Sequence, residues 1–351
     1  MRRLTVIFLL LAVAGSAQAQ TPARGFVIPP NADRIVEAQK RLFTALQQSL
    51  PPGVGAARSR ACDPNAASFS WRALGKTTTA KAQGGCGAYW AFATVSAIET
   101  SFMVYHDLTN ASVPDLSEQE VLDCAGQNAS QQFASIAYDC SGGWFEAPFR
   151  MAQRTGVLSE LLYPAEPPPG YRGAKNTCER IVGNRIPVNS WTPLPSVRGP
   201  DNWIAPAREI KQHICSFGGV ATGLNSSAFP PVMAFSEKIV GPPSALGLAV
   251  DHAVQIVGWD DAERVWIIKN SWGPVWGDEG FAKVPYDTLN IGFMATAAQA
   301  NTSLVLRSLS PSQQADFLNR RETTIFALPT ANANPAILNG RTLEDQVLKN
   351  F

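Results

Sequence analysis

Residues 83–93 read Gln83-Gly84-Gly85-Cys86-Gly87-Ala88-Tyr89-Trp90-Ala91-Phe92-Ala93, and this segment is the most informative part of the sequence. Its glycines form a loop that leads into an apolar segment. From residue 89 to residue 106 apolar side chains recur at intervals of four and three, which is the spacing of one face of an α-helix. The sequence therefore predicts a helix over 89–106 with one buried stripe, formed by Ala91, Val95, Ile98, Phe102 and Tyr105.

Four further motifs follow along the chain. The first motif begins at Leu116, and its Ser117 and Glu120 have the spacing of a capping box, which predicts the start of a helix. The motifs are Leu116-Ser117-Glu118-Gln119 continuing to Asp123-Cys124, Cys140-Ser141-Gly142-Gly143, Val250-Asp251-His252-Ala253-Val254, and Lys269-Asn270-Ser271-Trp272-Gly273-Pro274-Val275-Trp276-Gly277. In the second half of the chain, short β-prone runs predict strands over 219–224, 253–259 and 265–269.

Together with residues 83–93, these ordered motifs resemble the papain family of cysteine peptidases from about Trp71 to about Gln299. The resemblance implies an α+β, papain-like two-lobe fold. A helical lobe, about 62–185, is expected to face a β-barrel-like lobe, about 186–299, across a cleft. That cleft would hold a peptide or protein as substrate or ligand.

The resemblance also implies roles for individual side chains. In the family a cysteine thiolate attacks a peptide carbonyl, a histidine serves as base and acid, and an asparagine orients the histidine. The histidine matches His252 and the asparagine matches Asn270, with Trp272 shielding their contact from water. Gln83 and the backbone N–H of residue 89 match the donors that stabilise the oxyanion.

Tyr89 stands where the family pattern has the nucleophilic cysteine. A cysteine paired with histidine can have a pKa of about 3–4, whereas a phenol has a pKa of about 10. The phenol oxygen also lies further from the backbone than a thiol sulfur, and the ring would fill the space of the scissile bond. Tyrosine is therefore a poor nucleophile here, in its chemistry and in its shape.

The six cysteines are expected to form three disulfides. The resemblance implies the pairs Cys86–Cys140 and Cys124–Cys178. Cys62 and Cys215 remain, and a third bridge between the N-terminal strand and the second lobe is proposed for them. The alternative is a pair of inert buried thiols, and in neither case is a cysteine left as the nucleophile.

Several residues match the substrate side of the family's cleft. Gly142 and Gly143 match a backbone edge that pairs with an extended peptide. Trp144, Phe145, Gly223 and Asp251 lie at or beside positions that shape the main apolar specificity pocket. The three histidines lie at positions 106, 213 and 252 and do not form a ligand cluster, so neither a metal nor an organic cofactor is predicted.

The chain has an N-terminal export signal by physical criteria. Residues 1–19 combine two arginines, an apolar run and a small-residue cleavage site, as a signal peptide does. Export predicts a secreted or periplasmic protein. Residues 20–61 are a short leader or pro-region in which 32–50 have helical spacing, with an exposed surface helix as the other interpretation. Residues 300–351 form a C-terminal extension.

The composition argues against two classes of binding partner. The net charge of +1 gives no electrostatic case for nucleic acid or an anionic membrane, and nothing in the sequence fixes an oligomeric state.

Three functions are compatible with the sequence. The chain is an inactive pseudopeptidase that binds peptides or a protein; or it is an active cysteine-type endopeptidase in which Tyr89 is a variant, an engineered change or a sequence error. In the third, the leader or the extension carries a structural or inhibitory role.

Overall fold

The computed structural model describes residues 61–109, 115–129, 136–165, 178, 181, 184–195, 203–230, 250–300 and 304–305. The predicted signal peptide, the leader up to residue 60 and almost all of the C-terminal extension lie outside these residues. In the described part of the chain, no helix is both long enough and apolar enough to cross a membrane.

The described residues contain four α-helices and a set of short strands. The helices are α1 Tyr89–His106, α2 Glu118–Cys124, α3 Glu146–Thr155 and α4 Ala207–Phe217. The strands are β1 Ser68–Ser70, β2 Val157–Leu158, β3 Asn184–Ile186, β4 Ser190–Pro193, β5 Val220–Leu224, β6 His252–Asp260, β7 Val265–Lys269, β8 Phe281–Pro285, β9 Phe293–Gln299 and β10 Leu304–Val305. The predicted strands are confirmed, with ends that differ by one residue at most.

Helix α1 is the centre of the molecule. It begins at Tyr89 and ends at His106, as predicted, and Asp107 closes it in the left-handed conformation with its N–H donating to the Met103 carbonyl. The prediction of a single buried stripe is wrong, because every residue from Tyr89 to Met103 is buried. The reason is that α1 packs against helices α2 and α3 and also against strands β5, β6 and β9.

Helix α2 shows half of the predicted capping box. The Ser117 side chain accepts the Glu120 N–H at 2.9 Å. The Glu120 carboxylate does not return to Ser117, whose own N–H donates to the Leu158 carbonyl. Instead Glu120 accepts the Leu158 N–H at 2.8 Å and pairs with the buried Arg185 at 2.8 Å. Glu120 therefore fastens α2 to β2 and β3 rather than capping its own helix.

Seven strands form one antiparallel sheet in the order β4-β9-β5-β6-β7-β8, with β1 added on β6. Along one edge of β6, β5 pairs with residues 252–256 and β1 with residues 258–260. A Cβ at Gly258 would lie 2.2 Å from the Phe69 carbonyl oxygen, so glycine permits this close approach. A small second sheet has the order β10-β3-β2.

Three disulfides join distant parts of the chain, and they are the three pairs that the sequence predicted. Cys62–Cys215 ties the segment before β1 to α4. Cys86–Cys140 ties the loop before α1 to the loop before α3, and Cys124–Cys178 holds the end of α2. Residues 62–70, which the sequence assigned to the helical lobe, are thus joined to the large sheet by β1 and to helix α4 by a disulfide.

Candidate active site

The sheet brings His252 and Asn270 together. His252 is the first residue of β6, Asn270 follows β7 directly, and the two strands pair antiparallel with Gln255 opposite Lys269. The His252 Nε2 lies 2.8 Å from the Asn270 Oδ1. That oxygen also accepts the Ser271 N–H at 2.8 Å, which fixes the direction of the amide. Nε2 therefore carries the hydrogen in this contact.

Aromatic rings enclose His252. The centroids of the Tyr89 and Trp272 rings each lie 5.2 Å from that of the imidazole, and the centroid of Phe229 lies 6.1 Å away. His252 is only 3% exposed. Burial lowers its pKa to about 4, although the Asn270 hydrogen bond and the negative charge of Asp251 act in the opposite direction. The imidazole is therefore neutral at pH 7.

Tyr89 occupies the start of α1 and faces the imidazole. Its ring meets His252 edge-on, at an interplanar angle of 71°. The residue is 1% exposed, and burial, followed by the charge of Asp251, raises the pKa of the phenol above its ordinary value. The hydroxyl therefore stays protonated over the whole physiological range, and a phenolate nucleophile is not formed.

Gln83 is held in one orientation beside these residues. Its Nε2 donates to the Cys86 carbonyl at 2.7 Å, and its Oε1 accepts from the Ser271 hydroxyl. Its backbone N–H also donates to the Ser271 carbonyl. Since Ser271 follows Asn270 directly, the predicted oxyanion donor and the His–Asn pair are linked through one residue.

The loop of Gly142 and Gly143 lies over the first turn of α1. Gly142 exchanges two backbone hydrogen bonds with Asp139, each 3.1 Å long. A Cβ at Gly143 would lie 2.5 Å from two ring carbons of Trp90, so only glycine fits there. No backbone hydrogen bond joins Gly143 to another described residue. Gly142 and Gly143 are both buried.

The residues predicted to shape a specificity pocket fall into two groups. Trp144 and Phe145 are buried in the hydrophobic core and do not line an open wall. Gly223 is also buried, and a Cβ there would lie 2.8 Å from Val250 and 3.1 Å from Phe293.

Asp251 is different, because it is partly exposed. Its Oδ1 accepts the N–H and the hydroxyl of Ser226, at 2.7 and 3.0 Å.

Sequence reasoning missed Phe229. Phe229 packs on His252 and stacks on Trp276 with ring centroids 5.7 Å apart. It lies outside every motif of the chain, so no local signal marks it. In the described residues, no group of three His, Cys, Asp or Glu side chains could hold a metal ion.

The comparisons with known proteins agree with this geometry. Residues 65–301 match the family model described as "Papain family cysteine protease". The chain is 29% identical over 238 residues to "Digestive cysteine proteinase 1" of Homarus americanus, which covers 67% of this chain and 66% of that protein. It is 30% identical over 284 residues to "Cysteine proteinase EP-B 1" of Hordeum vulgare, covering 78% and 62%.

A solved structure shows the same fold. The digestive procathepsin L2 proteinase from Tenebrio molitor larval midgut aligns with a TM-score of 0.52 at 24% identity, covering 79% of this chain and 78% of that one. This likeness confirms the predicted α+β, papain-like fold. The chain spans 54% to 66% of the length of the curated relatives it matches here, the lowest value being for "Thiol protease SEN102" of Hemerocallis sp..

The contact between Gly143 and Trp90 predicts a position-specific stability effect. Gly143→Ala would force its Cβ into the Trp90 ring, and such overpacking costs about 1–3 kcal/mol in free energy of unfolding. Gly85→Ala is the matched control, since nothing lies within 4 Å of a Cβ there. Urea unfolding should show the loss only for Gly143→Ala, together with a change in tryptophan fluorescence. Equal stability of the two variants would contradict the contact.

The buried imidazole predicts a pH dependence of stability. Folding lowers the His252 pKa from its ordinary value of 6.5 to about 4, so the folded protein binds fewer protons between these values. The contribution of His252 to the free energy of unfolding is therefore fully present above pH 6.5 and is lost as the pH falls towards 4. The loss from this group is about 3 kcal/mol. His252→Gln should lack it, and the difference between the two urea-unfolding profiles measures it. Parallel profiles would show that the imidazole is not buried as described.

Proposed function

Because this chain belongs to the papain family of cysteine proteases, we propose that it is an exported pseudopeptidase, a family member that binds an extended peptide or protein segment without cutting it. The observation that supports this proposal most directly is Tyr89, buried at the nucleophile position against a neutral His252. Residues 62–299 would form the peptidase-like domain, behind a signal peptide and a short leader.

The chemistry of the site supports the loss of hydrolysis. Peptide cleavage in this family needs a thiolate that histidine keeps ionised. All six cysteines of the chain are in disulfides, so no thiol replaces the missing one. The Tyr89 phenol is protonated, and the imidazole beside it has no anionic partner at residue 89 to raise its pKa.

The backbone of the site supports retained binding. The loop that contains Gly143 is fixed by the Cys86–Cys140 disulfide and by the hydrogen bond from the Gly87 N–H to the Cys140 carbonyl. An extended peptide that pairs with Gly143 would meet a rigid edge, so little ordering cost opposes its binding. Three disulfides are consistent with an extracellular protein, which agrees with the proposed export.

A specific observation favours the second function, an active endopeptidase. The 2.8 Å contact of His252 with Asn270 and the two contacts that orient Gln83 preserve the supporting frame of a catalytic site. A natural protein with cysteine at position 89 would have every part that hydrolysis requires. On this alternative, Tyr89 is a variant, an engineered change or a sequence error.

Binding without cleavage distinguishes the two functions. Fluorescein-labelled nonapeptides with blocked ends are titrated with the purified protein, and fluorescence anisotropy reports binding. Mass spectrometry of the same samples after a day reports cleavage. We expect saturable binding and intact peptides, with reduced and alkylated protein as the unfolded control. Cleavage that disappears in His252→Gln would establish the active enzyme. Absence of binding by every peptide would overturn the proposed binding role.

A further inference from the structure

We propose that the ligand of this site is a basic peptide, whose Lys or Arg side chains pair with Asp139 and Asp251. This inference rests on the proposed binding function and adds the charge of the ligand to it. The two aspartates come from different parts of the fold. Asp139 lies in the loop before α3, and Asp251 directly precedes β6.

Both aspartates adjoin the site at the start of α1. The Asp139 carbonyl accepts the Trp90 indole N–H at 3.3 Å, and its backbone is paired with Gly142. Asp251 is next to His252, and its negative charge acts on both Tyr89 and His252. A peptide that pairs with Gly143 and runs past Tyr89 would therefore pass the loop that carries Asp139 and the residue before His252, which is Asp251.

Each of the two carboxylates uses only one oxygen within the described part of the chain. The Asp139 Oδ1 accepts the N–H of Ser141 at 2.7 Å and its hydroxyl. The Asp251 Oδ1 accepts the same two groups from Ser226. In both residues the Oδ2 has no hydrogen bond to another described residue, and both residues are partly exposed. Each serine holds its carboxylate in place and leaves one oxygen for a ligand.

Neither Asp139 nor Asp251 is in an ion pair in the described part of the chain. Most described carboxylates pair with a lysine or arginine, as Asp278 does with Arg72, Asp261 with Lys211 and Asp107 with Lys76. Two fixed and unneutralised negative charges beside a peptide-binding edge favour a cationic ligand and oppose an acidic one. A lysine ammonium or one N–H of an arginine can donate to the single free oxygen of each carboxylate.

The experiment compares peptides that differ in charge and keep one shape. Fluorescein-labelled nonapeptides carry two arginines at varied separations; matched sets carry citrulline, which is neutral and of the same shape, or glutamate at the same positions. At low salt we expect the best arginine peptide to bind about four- to twentyfold more tightly than its citrulline match. This difference should shrink as the salt concentration rises.

Substitutions then locate the effect. Asp139→Asn and Asp251→Asn keep the Oδ1 acceptor and remove the charge, and each should weaken the arginine peptide about two- to fivefold with no effect on the citrulline peptide. Asp260→Asn removes an equal charge at the far end of β6 and should change neither affinity. Thermal unfolding verifies that all three variants are folded.

The outcomes separate this inference from the function on which it rests. If arginine and citrulline peptides bind equally well, the ligand charge is wrong and the binding function stands. An arginine preference that survives both substitutions, or that Asp260→Asn removes equally, also contradicts the assignment to Asp139 and Asp251. If no peptide of any charge binds, the proposed function fails and this inference fails with it.

Discussion

The contact between the first residue of α1 and the first residue of β6 is the constraint on which the site depends. Helix α1 is buried on all sides, so its start cannot move relative to the strands around it. Tyr89 therefore stays against His252, and strand pairing then places Asn270 within hydrogen-bonding distance of the imidazole. Interiors are close-packed, so a substitution at the buried residue 89 changes both the chemistry of the site and the volume that the neighbouring side chains must fill.

The exchange of a thiol for a phenol changes both partners of this contact. A thiolate would stabilise a charged imidazole beside it, whereas a neutral ring leaves burial as the largest influence on the histidine pKa. Burial disfavours the charged form in both groups, so it lowers the pKa of His252 and raises that of Tyr89. Tyr89 and His252 are thus both neutral, whereas a cysteine peptidase has a thiolate and a charged imidazole at these two positions. The carboxylates of Asp139 and Asp251 then carry the charge that a ligand would meet.

Features with a local cause could be predicted from the sequence. The bounds of α1 follow from its glycine-rich approach and its periodic apolar residues. The pairing of His252 with Asn270 and two of the disulfides came from the resemblance to a family. Features that depend on distant partners could not be predicted. The burial of α1 on every side, the use of Glu120 by Arg185, and the packing of Phe229 on His252 all require knowledge of which strands and loops return to these residues.

Under the proposed function, Tyr89 is the residue that prevents hydrolysis at a site that otherwise keeps the supporting contacts of His252 and Gln83. Turnover of a fluorogenic peptide by the unaltered protein and by Tyr89→Cys, under reducing conditions mild enough to spare the disulfides, tests it most directly. We expect no turnover by the unaltered protein, and turnover by Tyr89→Cys that a thiol-alkylating reagent abolishes. Turnover by the unaltered protein that His252→Gln removes would contradict the proposed function. A folded Tyr89→Cys variant that cuts nothing would show that residue 89 is not the sole obstacle to hydrolysis.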